Sequence, residues 1–118
     1  MVCSLTAVVA LALFGLLLIL PGHYTAGYGV AADVGGMFMG RRASPMFLGL
    51  AILLWMVRDE VEPNIQRAIS LSMIALFAGI AFTGIWSFAS GLGNMAILLA
   101  ALCECLIAFA FFITMRLR

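Results

Sequence analysis

The chain has 118 residues, of which 66% are hydrophobic and 9% charged, with a mean hydropathy of +1.25. That balance excludes a water-soluble domain and indicates a polytopic integral membrane protein. A net charge of +1 with no lysine and no basic tail gives no footing for nucleic-acid binding.

At about 20 apolar residues per crossing, the length accommodates four transmembrane helices and short loops, so the expected fold is all-α and a single domain. The helices are expected at about 2–20, 37–57, 65–88 and 94–115, with both termini on the same side. Val2 to Leu20 is apolar and stops at Pro21-Gly22. With no side-chain positive charge ahead of it, it reads as an uncleaved first helix rather than a signal peptide. Pro21 to Val34 carries Gly22, His23, Tyr24, Gly27, Tyr28, Gly29 and Asp33, the composition of a loop at the headgroup level. His23 is the one histidine of the chain, so no histidine-based metal site is expected, and it reads as an interfacial polar side chain.

In the second helix the question is whether Arg41 and Arg42 lie inside it. A start near Met37 gives the length a crossing needs and embeds both arginines in its outer third. Pro45 then lacks the N–H that would bond the carbonyl of Arg41, leaving a free acceptor and a kink. In the alternative, Pro45 marks the first turn and the arginines anchor headgroups. Arg58 to Gln66 is a charged turn. Its Asp59, Glu60 and Glu62 precede a helix N-terminus, where the helix dipole favours them, and a catalytic role is not needed to explain them.

Along the third helix Ala68, Ser72, Ala75, Gly79, Thr83 and Ser87 follow spacings of three and four, a small-residue groove suited to close helix approach. Trp55 and Trp86 read as interfacial anchors at opposite faces. The fourth helix holds a single acid, Glu104, in line with Ala96, Ala100 and Ala108 at steps of four. Ala75, Gly79 and Thr83, with Ala96, Ala100 and Ala108, are therefore the candidate helix-packing residues. A carboxylate at that depth needs a partner, a proton or water. Helix rise places Arg41 roughly 25 Å above the Arg58 edge and Glu104 roughly 18 Å above the Arg116 edge, a gap an arginine stem can span. Glu104, Arg41 and Arg42 thus form the candidate polar cluster, acting either to fix helix register or, if the arginines snorkel away, as a proton or cation site at Glu104.

Cys103 and Cys105 are two apart on a helix and cannot pair, and no C-x-x-C motif is present, so the cysteines read as small packing residues. Met37, Met39 and Met46 suit soft Cu(I), but core filling explains them more simply and no metal is expected. Arg58, Arg67, Arg116 and Arg118 fall on one side and Arg41 and Arg42 on the other, so the positive-inside rule places both termini in the cytoplasm.

The Pro21-Gly22 break, Tyr28-Gly29, the arginine-rich entry to helix two, the F-x-G-L segment from Phe47 to Leu50 and the lone Glu104 together resemble the DUF4345-like small four-helix membrane proteins. The resemblance implies a bacterial inner-membrane protein and carries no activity. Small multidrug transporters share the length and helix count, but their essential acid lies in the first helix, where this chain has none. The membrane eicosanoid and glutathione enzymes have a Glu-Arg motif with a following Asn that is not found here. The sequence therefore leaves three expectations. The first is a non-catalytic accessory or assembly subunit that contacts membrane lipid and docks on other membrane subunits. The second is a small transporter or channel that self-associates and uses the Glu/Arg cluster, and the third is a protein that binds lipid or quinone, with no other cofactor expected.

Overall fold

A computed structural model describes residues 1–117 and all their side chains except that of Phe38. Among the described residues the chain forms five helices and no strand: α1 (Val2–Ile19), α2 (Pro21–Gly27), α3 (Val34–Met56), α4 (Pro63–Ala89) and α5 (Met95–Leu117). Of these, α1, α3, α4 and α5 are long and apolar enough to cross a membrane. The chain divides into two units, one of Met1 and Cys3–Arg58, the other of Val2 and Asp59–Arg118.

In the first unit, Leu20 both ends α1 and starts α2. Pro21 follows at the first position of α2, where its missing N–H costs nothing and its fixed φ suits a helix. The segment expected to be a headgroup-level loop therefore opens as about two turns of helix. Three local features hold it. Thr25 Oγ1 donates to the carbonyl of Gly22 at 3.1 Å, Tyr24 and Tyr28 meet edge to face at 5.2 Å, and Gly29 at φ +73° closes the end. At that end Gly29 N–H donates to Ala26 and Val30 N–H to Thr25, the paired bonds of a Schellman cap, which needs the left-handed conformation glycine tolerates. The turn packs on α3 at Gly40, where a Cβ would lie 3.2 Å from the Pro21 Cβ.

α3 begins at Val34, three residues before Met37, because Asp33 caps it by accepting from Gly36 N–H at 2.6 Å. Both arginines therefore lie inside α3, as does Pro45. The free acceptor expected at Arg41 is absent. The hydroxyl of buried Ser44 donates to the carbonyl of Arg41 at 2.7 Å and takes the place of the bond that Pro45 cannot make.

In the second unit, the acids before α4 serve the backbone. Glu60 Oε1 accepts from the N–H groups of Val61 and Glu62, Glu62 caps α4 by accepting from Ile65 N–H at 2.8 Å, and Gln66 Nε2 donates to the Glu60 carbonyl. α4 closes with a second Schellman cap, in which Gly91 N–H donates to Phe88 and Leu92 N–H to Ser87, with Gly91 at φ +82°. Asn94 then opens α5 by accepting from Ala96 N–H at 3.0 Å, and α4 and α5 pack as an antiparallel hairpin. Outward, α5 shows Leu99, Leu102, Leu106 and Phe109, each more than half exposed. A hydrocarbon surround, not water, suits such a face.

Candidate functional site

The hairpin packs along stripes built from steps of three and four. On α5 the stripe is Ile97, Ala101, Glu104, Ala108 and Phe111, with Ala101, Ala108 and Phe111 buried and Glu104 half-buried. On α4 it is Ser70, Met73, Phe77 and Ala81, all buried, followed by Gly84. A Cβ on Gly84 would lie 3.7 Å from Ile97 Cγ1 and 3.8 Å from Ala101 Cβ, so the two backbones approach closely there. In an antiparallel pair with that register, Glu104 comes level with the α4 turn between Phe77 and Ala81. The acid thus sits at the edge of a tightly packed seam. Among the described residues no hydrogen bond or ion pair reaches its carboxylate.

The small-residue series expected to pack α4 lies on the other side of that helix. Ala75, Gly79 and Thr83 are exposed, and a Cβ on Gly79 would meet nothing within 4 Å. The hydroxyls on this face are internally satisfied. Ser72 donates to Ala68 at 2.9 Å, Thr83 to Ile80 at 2.8 Å and Ser87 to Thr83 at 2.8 Å, so the face can meet hydrocarbon without stranding a donor. On α5, Ala108 joins the packed stripe, whereas Ala96 and Ala100 are half-buried beside it. A strict step of four drifts around the helix by about 40° each time, which carries Ala96 and Ala100 away from the seam.

Arg41 and Arg42 are both exposed and belong to the first unit, Glu104 to the second. With Val34 and Met37 the two arginines line a recess of about 350 Å³. Spacings of three and four put Val34, Met37 and Arg41 on one face of α3, with Arg42 bordering it. Cys103 and Cys105 are exposed and not disulfide-bonded. Met39 and Met46 are exposed as well. Among the described residues no three His, Cys, Asp or Glu side chains gather as a metal site.

The residues that sequence reasoning missed are Ser44, whose role is visible only beside Pro45, and the α4 stripe from Ser70 to Gly84. The stripe follows the same steps of three and four as the small-residue series, so spacing alone does not single it out. Comparison of the chain with family models, with curated proteins and with solved structures finds no match.

Proposed function

We propose that the protein is a non-catalytic accessory or assembly subunit of a larger membrane complex, in line with its resemblance to the DUF4345-like group and with a bacterial inner membrane as its site. The observation that carries this reading is the division of labour on α4. One side of the helix packs into the chain's own seam, while Ala75, Gly79 and Thr83 on the other side stay exposed with open space at Gly79. In a membrane, lipid tails are as apolar as leucine, so a surface gains most from a second helix when small side chains let the backbones come close. The hydroxyls of Ser72, Thr83 and Ser87 lie on the same side and can redirect from their own backbone to a partner helix.

A second reading rests on Glu104. An acid half-buried on the packed stripe of α5 fits a self-associating transporter or channel in which it lines a path with Arg41 and Arg42. Native mass spectrometry of protein extracted gently from its own membrane separates the two. The accessory reading expects a defined heterologous partner at fixed stoichiometry. A homo-oligomer that conducts protons in liposomes, and loses the flux on Glu104→Gln, overturns it in favour of the second.

A further inference from the structure

The end of the hairpin where α4 begins and α5 ends carries two exposed arginines that the seam does not use, Arg67 and Arg116. Gly84 stands between Ile97 and Ala101 on the facing helix, and in an antiparallel pair that register sets residue 67 opposite residue 116. At about 100° per residue, Arg67 lies roughly 80° round from the buried stripe of α4 and Arg116 roughly 100° round from that of α5. The helices run in opposite directions, so both rotations lead to the same flank of the hairpin. Leu71, Phe109 and Phe112 lie on that flank too, each more than a third exposed, with the two phenylalanine rings stacked at 6.5 Å.

The chain does not neutralise these two cations. Among the described residues neither makes an ion pair, and the guanidinium of Arg116 lies 5.2 Å from the centre of the Phe112 ring. Such a contact uses the face of the guanidinium and leaves its N–H edge to a further acceptor. The acids that precede α4 are spent on its start: Glu62 accepts from Asn64 and Ile65, and Glu60 from the N–H groups of Val61 and Glu62.

Helical side chains lean toward the start of their own helix, which in this pair means opposite depths. Arg67 leans toward the end of the hairpin, while Arg116 reaches back over Phe112. The 23 residues of α5 rise roughly 34 Å against roughly 30 Å of hydrocarbon, so Arg116, next to its last residue, falls at the headgroup boundary. The phosphate layer of that leaflet therefore lies between the two guanidiniums. Phosphate has the charge and the several acceptor oxygens that two such forks require. A zwitterionic headgroup would bring a third cation. A free, hydrated phosphate makes no use of the exposed Leu71, Phe109 and Phe112, whereas an acyl chain running down the flank covers them.

We propose that this flank of the α4–α5 hairpin holds an anionic phospholipid, with Arg67 and Arg116 sharing its phosphate and Leu71, Phe109 and Phe112 bordering its acyl chain. The proposal requires that α4 and α5 cross the bilayer, and it stands whether or not the chain docks on a complex.

The test is native mass spectrometry of the full-length protein, delipidated and titrated with short-chain phosphatidylglycerol, with phosphatidylcholine of the same chain length, and with inorganic phosphate as competitor. The expected result is retention of phosphatidylglycerol over phosphatidylcholine. Arg67→Gln with Arg116→Gln should weaken phosphatidylglycerol about tenfold or more, the scale of losing charge-assisted hydrogen bonds. Because one phosphate is shared, the two single substitutions should not add: each alone should cost most of what the pair costs. Arg41→Gln with Arg42→Gln, in the other unit, should leave binding unchanged. Equal affinity for the two lipids, additive losses from the two arginines, or an equal loss on Arg58→Gln overturns the proposal. Displacement of the lipid by inorganic phosphate at matched concentration also overturns it and would assign the arginines to the free ion. So does a double variant that keeps its lipid preference but loses an acidic protein partner, which would assign the flank to that protein.

Discussion

Ser44 shows how a single hydroxyl lets a proline stay inside a membrane-length helix. Pro45 removes one backbone donor, and in hydrocarbon no water replaces it, so the carbonyl of Arg41 would stand unsatisfied at a cost of about 1–3 kcal/mol. Ser44 is fully buried and supplies the donor at 2.7 Å. Ser44→Ala should therefore destabilise the protein by about that amount, read as reversible unfolding in mixed micelles. In a Pro45→Ala background, residue 45 regains its N–H and the same substitution should cost little, so a cycle of the two changes should show strong coupling. Equal cost in both backgrounds would mean that the hydroxyl matters for packing rather than for the carbonyl. The proline and the orphaned carbonyl were legible in the sequence. The donor was not, because a serine beside a proline has several carbonyls within reach and the fold selects one. The caps divide in the same way: Asp33 and Glu62 have a residue type and placement that announce a helix start, yet the starts they set lie a few residues before those read from hydrophobicity alone.

At the level of elements, the two glycines of α4 separate internal packing from an outward surface. Gly84 faces α5, and a single added carbon there would sit in ordinary contact with Ile97 and Ala101, so Gly84→Ala should be tolerated. Gly84→Leu adds three further carbons into the same space and should cost about 1–3 kcal/mol by overpacking, with faster amide exchange along α4 and α5. Gly79→Leu meets open space. It should leave the stability and exchange of the isolated chain near the parent values while weakening recovery of any partner subunit. A large loss of stability in the isolated chain on Gly79→Leu would place that face inside the fold. Sequence reasoning found four long helices, since length and unbroken apolar character suffice for that. It did not find which side of α4 meets α5, because nearly every face of α4 is apolar or small and a membrane helix lacks the polar face that marks the outside of a soluble one.

For the whole molecule the question is parity of crossings. α2 adds a fifth helix, but seven residues rise only about 10 Å and do not cross roughly 30 Å of hydrocarbon, so it leaves the number of crossings even. We expect each of the four long helices to cross, which would put the α1–α3 and α4–α5 connections on one side and the α3–α4 connection on the other with both termini. Exposed positions in each connection report this directly: Ala31, Val61 and Leu92. In a variant with its native cysteines replaced, Ala31→Cys and Leu92→Cys should react with a membrane-impermeant maleimide on intact cells, and Val61→Cys only after permeabilisation. The sign follows from charge, because Arg58 and Arg67 flank the Val61 connection, and arginine near the ends of spans is retained in the cytoplasm. Arg41 and Arg42 oppose this only to the extent that they act at the outer surface. Neutralising them as Arg41→Gln with Arg42→Gln should leave the labelling pattern in place, whereas neutralising Arg58 and Arg67 should produce a mixed one. The inverse result, with the pattern governed by Arg41 and Arg42, would reverse the orientation.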